Sequence, residues 1–230
     1  MSVLAVLDPA VAAAHAAVAA LAHVLPTALA IVLFTVAVRL SLHPLARAAA
    51  RGEKARAELA PKVAALNTKY KGRPEKLREA MAELYRKEQV SPAAGCLPML
   101  VQIPFFSVMY RLFTTPNDLL DHTLFGVPLG LHVTGAHGVG QFAVFGLLYA
   151  GLAAVGYVNY RRARRAAAAQ PTPQPGAALL PYLSFASVLF ALLVPVAAAL
   201  YLLTTSVWSA AERAWLYRDG TPVPAAVLAA

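Results

Sequence analysis

One basic side chain, Arg39, lies in a long apolar stretch where an isolated charge needs an explanation. In the stretch Val24–Leu45 the only other ionisable residue is His43. An arginine deep in a bilayer costs at least about 2.5–3.5 kcal/mol on insertion scales and usually faces protein or a water-filled cavity. No acidic residue occurs in the first four apolar stretches. Arg39 therefore indicates a hydrated groove that attracts an anionic group from outside the chain, although its side chain could instead extend to the lipid headgroups.

Several polar residues on predicted helices are candidates to share this groove, namely Thr35, Ser41, Gln102, Gln141 and the cluster Thr204–Ser206. Thr35 precedes Arg39 by one helical turn, so the two side chains share a helix face. Gln102 lies in the second apolar stretch. Threonine and glutamine side chains also form hydrogen bonds between packed membrane helices, and the sequence alone leaves that alternative open.

The sequence contains none of the patterns that catalysis or metal binding requires. Its single cysteine, Cys96, has no partner within the chain, and no His/Cys cluster has the spacing of a metal site. It has no glycine-rich phosphate loop, no nucleophile motif and no pair of carboxylates within an apolar stretch. We therefore predict a protein that is not an enzyme and that uses no metal and no other cofactor.

The composition predicts an all-α membrane protein with several spans. Of the 230 residues, 59% are hydrophobic and 13% are charged, and the mean hydropathy is +0.59. Soluble domains average about 45–50% apolar and about 25% charged residues. Because about 20 mostly apolar residues are needed to cross a bilayer, the sequence predicts five transmembrane helices, at 24–45, 93–115, 141–160, 177–194 and 196–216. The last two could instead form one helix kinked at Pro195, but that helix would far overshoot the bilayer.

Outside the predicted spans, basic residues are confined to one predicted side of the membrane. Residues 46–90 carry twelve Lys and Arg against six Glu, and Arg161–Arg165 contains four arginines. Because Lys and Arg concentrate in cytoplasmic loops, we predict that the N-terminus is outside and the C-terminus is cytoplasmic. The remaining segments are then an outer-face N-terminal segment (1–23), a cytoplasmic helical hairpin (46–92), a solvated outer loop (116–140), a cytoplasmic loop (161–176), a cytoplasmic extension of the fifth span and a cytoplasmic tail (217–230).

The N-terminal segment is predicted to be a short helix that lies on the outer face. Asp8 suits the N-cap position and Pro9 suits the first helical position. A cleaved leader is the alternative, but the segment lacks the basic residues that begin a signal peptide.

The segment between the first two spans predicts two amphipathic helices, Ala48–Tyr70 and Pro74–Glu88, joined by a turn at Gly72. One apolar stripe on each helix favours an antiparallel hairpin. The hairpin is either a docking arm for a ribosome, a targeting factor or a nascent chain, or a solvated linker. Interspersed Glu residues and the absence of an aromatic platform argue against direct sequence-specific nucleic-acid binding. Its candidate recruitment residues are Lys62, Lys69, Arg86 and Lys87.

A series of short motifs resembles the YidC/Oxa-type membrane protein insertase family, in the shorter form found in Gram-positive bacteria. In chain order, the motifs are Glu58–Lys62, Lys69–Tyr70, Glu83–Lys87, Pro92 and Gly95–Phe106. The resemblance covers about residues 26–216. It implies a five-span core in the bacterial cell membrane with a hydrophilic groove that opens to the cytoplasm.

The resemblance also implies a role for Arg39, which matches the family's arginine on the first core span. That arginine attracts the acidic tail of a substrate while the apolar span of the substrate slides along the helices of the groove, and the hairpin helps to recruit substrates. Tyr201 matches a tyrosine of the last span and is a further candidate to share the groove. The family often has Trp next to that tyrosine and then Asn, and here the Trp is displaced and Ser or Thr replaces the Asn. Glu212 stands where a Gln is usual, and the tail has one basic residue, Arg218, which puts ribosome docking through the tail in doubt.

We therefore expect an insertase and chaperone that captures nascent membrane proteins in the groove and releases their apolar segments into the lipid bilayer. The Sec translocon, the receptor of the signal recognition particle and the ribosome are candidate partners. The alternatives are a small-solute transporter built around the Arg39 cavity and a scaffold that binds membrane proteins without inserting them.

Overall fold

The computed structural model describes residues 7–89, 97–168 and 179–218, with the backbone alone for residues 97–102 and 180. The described chain is mostly helical. The helices are α1 (Asp8–Ala22), α2 (Thr27–Lys69), α3 (Pro74–Lys87), α4 (Leu97–Thr114), α5 (Gly138–Ala168), α6 (Ala186–Ala191) and α7 (Val196–Leu216). Two short antiparallel strands, β1 (Thr123–Leu124) and β2 (Val127–Pro128), and 3₁₀ turns at Asp118–Asp121, Val133–Gly135 and Leu180–Phe185 complete the described structure.

Two of the described helices, α2 and α5, are long and apolar enough to cross a membrane. Their most apolar windows have mean hydropathies of 1.9 and 1.7, and only 22% of each window is buried inside the protein. In a soluble protein such helices would be buried in the core. The exposed apolar side chains are those expected of surfaces that contact lipid.

The first predicted span and the first hairpin helix form a single helix, α2, of 43 residues. The sequence predicts a boundary near 45, but the helix continues through Pro44 and Pro61. Each proline removes one helical hydrogen bond, and the surrounding run of alanine and basic residues has high helix propensity. Water can satisfy the carbonyl groups that the prolines leave free, because this part of α2 extends beyond its apolar half.

Pro195 separates α6 from α7. Its backbone is extended, with ψ of 169°, and α7 begins at Val196, so the tract Ala177–Leu216 is not a single long helix. The part before Pro195 consists of a 3₁₀ turn and six residues of α-helix. These described turns extend over roughly 21 Å, because a 3₁₀ turn rises about 2.0 Å per residue and an α-helix about 1.5 Å.

Helices α2 and α7 run in the same direction. Arg39 of α2 contacts Thr205 of α7, and further along both helices Glu53 contacts Tyr217. Helix α4 runs the opposite way, since Phe105 lies beside Arg39 whereas His122, beyond the end of α4, contacts Thr27 at the start of α2.

Helix α5 also runs parallel to α7. Arg162 donates a hydrogen bond to the carbonyl of Ala210, and an earlier residue of α5, Gly151, packs against Leu203. The segment 180–191 runs antiparallel to α5, because Tyr149 donates to the carbonyl of Ala191 and Tyr160 packs on Tyr182. Thus α2, α5 and α7 run one way, and α4 and the 180–191 segment run the other way.

The predicted solvated loop at 116–140 is instead folded against the helices. Leu119 and Leu129 are buried in the core. The carbonyls of Leu131 and Leu129 accept hydrogen bonds from the backbone N–H groups of Val196 and Ala197, at 3.0 and 2.8 Å. The first N–H groups of a helix have no partner within the helix, so the loop is held in place partly because it supplies acceptors to the start of α7.

Helix α1 begins one residue earlier than the capping prediction required. Asp8 is the first helical residue rather than the N-cap and makes no capping hydrogen bond. Its carboxylate instead accepts a hydrogen bond from Arg111 Nη1 at 2.6 Å. Asp8 thus pairs with the charged Arg111 instead of capping the start of its own helix, and this contact joins α1 to α4.

Candidate functional site

Arg39 lies where helices α2, α4 and α7 meet. Its side chain is half-buried. Its Nε and Nη2 atoms donate to Oγ1 of Thr205 at 3.3 and 3.2 Å, and its Cζ atom lies 5.9 Å from the ring centroid of Phe105. A hydroxyl group and an aromatic ring are neutral partners, and no described carboxylate lies within 4.0 Å of Arg39. The guanidinium can therefore accept an anionic partner from outside.

A second polar contact lies one turn further along α2. Nδ1 of His43 is 2.5 Å from Oε1 of Glu212 on α7, and both side chains are mostly buried. The ring of Trp215 packs against His43 with centroids 5.4 Å apart. Cζ of Arg47 lies 5.7 Å from the ring centroid of the same tryptophan. His43 follows Arg39 by four residues, so both contacts lie on one face of α2.

A third polar contact closes the seam at the end of α7. Glu53, which is 6% exposed, accepts a hydrogen bond from the hydroxyl of Tyr217. Lys54 Nζ lies 5.4 Å from the ring centroid of the same tyrosine. Arg213 interacts electrostatically with Glu53 and with Glu212. We call the three contacts Arg39–Thr205, His43–Glu212 and Glu53–Tyr217 the polar seam.

Comparison with known families identifies the chain. The sequence model of the 60Kd inner membrane protein family, to which the YidC insertases belong, matches residues 20–222. The chain belongs to this family. The resemblance that the motifs indicated is therefore confirmed.

Curated relatives of the chain are named membrane protein insertase YidC. The protein from Polynucleobacter asymbioticus is 39% identical over 89 residues, or 39% of this chain, and the protein from Helicobacter pylori is 45% identical over 90 residues, or 39% of this chain. The protein from Caulobacter vibrioides is 39% identical over 98 residues, or 43% of this chain. The matched part spans only 16% of the length of each of these relatives.

Two of the residues predicted to share the groove are buried in this family member. Thr35 is fully buried, and its hydroxyl donates to the carbonyl of Ile31 at 2.7 Å rather than toward Arg39. Tyr201 is 2% exposed and packs against Phe105 and Phe113 with ring centroids 6.2 and 5.9 Å away. Both residues support the helix packing around Arg39, and neither presents its side chain to open space.

Another predicted groove residue, Gln102, lies on α4. Its side chain is outside the described part of the structure. Its placement three residues before Phe105 puts the two positions on one face of α4. The prediction that Gln102 shares the groove stays a prediction.

The predicted recruitment residues lie on the hairpin that the end of α2 forms with α3. Lys62 pairs with Glu88 across the hairpin, and Lys69 Nζ lies 5.4 Å from the ring centroid of Tyr70. Arg86 and Lys87 are exposed at the end of α3. The turn between the helices uses Gly72, whose φ of +82° favours glycine. These side chains are accessible to a partner.

Sequence reasoning identified Arg39 and the cluster Thr204–Ser206, which contains its partner Thr205, but missed the other two contacts of the polar seam. His43 and Glu53 were not candidates, and Glu212 was noted only as a departure from the family. Acidic partners for Arg39 were sought only in the first four apolar stretches, whereas Glu212 lies in the extension of the fifth. The spacing of Arg39 and His43 on one helix face was a signal that could have directed attention to this region.

A separate group of charges lies at the opposite end of the molecule. His15 Nε2 is 2.7 Å from Oδ1 of Asp118, and this hydrogen bond lowers the pKa of Asp118 below its usual value. Together with the Asp8–Arg111 contact it borders a cavity of about 290 Å³ between α1 and the end of α4. These contacts fix α1 to the folded loop and lie far from the polar seam.

Proposed function

We propose that this chain is a membrane protein insertase that captures nascent membrane proteins at Arg39 and releases their apolar segments into the bilayer. The observation that carries the proposal is a half-buried arginine at the junction of three helices, whose described hydrogen-bond and aromatic partners, Thr205 and Phe105, are neutral. Its membership of the YidC family and the names of its relatives agree with this activity.

The alternating helix directions support five spans. Helices α2, α5 and α7 run from outside to inside, and α4 and the 180–191 segment run back. The end where α2, α5 and α7 begin has three acidic residues in its connecting segments, Asp8, Asp118 and Asp121, and those segments contain no Lys or Arg. The other end has the hairpin and the Arg161–Arg165 cluster. Lys and Arg concentrate on the cytoplasmic side, so the hairpin and the end of α7 are cytoplasmic.

Electrostatic attraction is the first step of the proposed mechanism. In a groove with apolar walls, a charge attracts an opposite charge more strongly than it does in bulk water. Arg39 attracts an acidic residue in the tail of a substrate that is bound for the outer face. The acidic group replaces the neutral Thr205 hydroxyl as the partner of the guanidinium, and charge-assisted hydrogen bonds are the stronger ones.

Partition into lipid is the second step. Exposed apolar side chains occur close to Arg39 in sequence and near its contact residue on α4, namely Leu40 of α2 and Ile103 of α4, which are 56% and 52% exposed. An apolar substrate segment can contact these side chains and move sideways into the bilayer, driven by burial worth about 25 cal/mol per Å². The membrane potential adds about 2.3 kcal/mol per charge per 100 mV when the acidic tail moves outward.

The hairpin provides a site for recruitment in this proposal. Its exposed basic residues, including Arg86 and Lys87, extend from the cytoplasmic end of α2. A ribosome, the receptor of the signal recognition particle or the Sec translocon could be engaged there. The short length of the helical turns at 180–191 favours a locally thinned bilayer. Thinning would lower the free-energy cost of moving a polar tail across the membrane.

The experiment that tests the proposal is insertion into liposomes. A single-span substrate with an acidic N-terminal tail is added to liposomes that contain the wild type, Arg39→Ala or no protein, and protease protection of the tail is measured. We expect protection above the empty liposomes with the wild type and a loss of about tenfold with Arg39→Ala, which corresponds to about 1.4 kcal/mol. Co-purification of substrates without any protection would indicate a scaffold, and anion flux without insertion would indicate a transporter.

A further inference from the structure

The polar seam places a carboxylate of this chain close to the residue proposed to attract substrate carboxylates. Arg39 and His43 are one turn apart on α2, and Glu212 contacts His43 at 2.5 Å. Side chains four residues apart on a helix have Cβ atoms about 5–6 Å from each other. Arg39 also interacts electrostatically with Glu212. The glutamate side chain has several staggered rotamers, so the backbone alone does not fix how far its carboxylate lies from the guanidinium.

His43 determines where the carboxylate of Glu212 is held. The side chain of Glu212 is 12% exposed, and a carboxylate this far out of water needs a hydrogen-bond donor. Nδ1 of His43 is that donor in this structure, and the packing of the His43 ring against Trp215 fixes the direction of the donor. Arg213 beside it adds a second cation that attracts the same carboxylate.

We propose that Glu212 is an internal competitor for Arg39, and that it sets how many acidic residues a substrate tail needs in order to be captured. His43 is a positioning residue, because its hydrogen bond keeps Glu212 one turn away from Arg39 and so leaves the guanidinium available. The proposal rests on the proposed insertase function and adds a determinant of substrate selectivity to it.

Substitutions at Glu212 and His43 should have opposite effects on the capture of a weakly acidic tail. Glu212→Gln removes the competing charge and keeps the shape of the side chain, so capture of a weakly acidic tail improves. His43→Phe keeps a ring against Trp215 but removes the donor, so Glu212 is free to turn toward Arg39 and capture weakens. Both effects act through Arg39 and therefore disappear when Arg39 is replaced by alanine.

The experiment uses the full chain in liposomes and substrates that share one apolar segment but carry no, one or three acidic residues in the tail. The control variant is Glu79→Gln, which makes the same change in net charge at an exposed position of α3. For the tail with one acidic residue we expect Glu212→Gln to raise insertion about two- to fivefold over Glu79→Gln, the upper part of the range for an exposed charge pair. The neutral tail should show no difference between the two variants.

The outcomes separate the selectivity proposal from the proposed function. Insertion at the level of empty liposomes for every variant and every tail contradicts the insertase function itself. Insertion by the wild type with equal rates for Glu212→Gln and Glu79→Gln contradicts the role of Glu212 alone. An increase that persists in the Arg39→Ala background also overturns it, because the effect would then not pass through Arg39. The Glu212→Gln comparison decides the proposal even if His43→Phe folds poorly.

Discussion

The two halves of α7 differ in how they pack. In the first half, Val196–Leu202, nearly every residue is buried, and the small residues Ala197 and Ala199 are fully buried. From residue 203 to 216 no residue is buried. The helices are thus sealed at one end by close packing of small side chains and held at the other end by polar contacts.

This difference indicates which end of the helix group can open. Small residues allow helix backbones to approach closely, and a packed interface of this kind has no room for a substrate. Hydrogen bonds such as those of the polar seam exchange readily with water or with a substrate group, because their net contribution to stability is only about 0.5–1.5 kcal/mol each. We therefore expect a substrate to enter beside the polar part of α7, residues 203–216.

The largest expected effect on stability comes from enlarging a residue in the sealed half. Ala197→Leu adds volume at a position that is fully buried and whose backbone N–H binds the folded loop. Overpacking of this kind costs about 1–3 kcal/mol. The check is thermal unfolding in detergent, with Ala211→Leu in the polar half as the control, since Ala211 is exposed. Equal melting temperatures for the two variants would mean that the sealed half is not close-packed.

A second prediction concerns water access to the two threonines of the site. In a background with Cys96→Ser, a cysteine replacing Thr205 should react with a membrane-impermeant thiol reagent, because this position is half-exposed beside Arg39. A cysteine replacing Thr35 should stay protected, because Thr35 is fully buried. We expect reaction rates that differ by at least about tenfold, since a thiol must be exposed to react. Similar reaction rates at the two positions would mean that the sealed and the polar ends of the helix group do not differ in access to water.

A smaller effect is expected at the hairpin that the end of α2 forms with α3. The Lys62–Glu88 ion pair joins its two helices at the surface, and exposed pairs contribute about 0.2–1 kcal/mol. Lys62→Met should lower the stability of the hairpin by that amount and increase amide hydrogen exchange in α3 without affecting α5. Lys76→Met is the control for the lost charge. If exchange in α3 is the same in both variants, the ion pair does not join the helices.

The smallest effect is a pH dependence where α1 contacts the folded loop at 116–140. The hydrogen bond from His15 lowers the pKa of Asp118, so the folded state binds the proton less tightly than the unfolded state does. This contribution to stability is present above the unfolded pKa of the aspartate and is lost as the pH falls through its folded pKa. His15→Asn should raise the pKa of Asp118, as measured by NMR titration. An unchanged pKa would show that the His15 contact does not cause the shift.

The sequence was informative where a pattern is local. Hydrophobic periodicity indicated the helical hairpin, and Pro195 indicated where the last apolar tract changes course. Arg39 stood out because its stretch is otherwise apolar. The sequence could not show that His43 contacts Glu212, because the two residues are 169 positions apart and only the parallel packing of α2 and α7 brings them together.

Two other features depended on tertiary structure in the same way. Thr35 shares a helix face with Arg39, but packing against the neighbouring helices covers it completely. The loop at 116–140 was predicted to be solvated, yet Leu129 is buried and its carbonyl caps the start of α7. Its fold is determined by that helix end, which lies some 70 residues later in the chain.

The most direct test of the central claim is a reversal of charge at Arg39. Wild type and Arg39→Glu are reconstituted into liposomes without a membrane potential, and insertion is compared for substrates whose tails carry acidic or basic residues. We expect the wild type to insert the substrate with the acidic tail more efficiently and Arg39→Glu to insert the one with the basic tail more efficiently. The reason is that the side chain at position 39 in the polar seam attracts a tail of opposite charge. The same preference for the acidic tail in both proteins would contradict it.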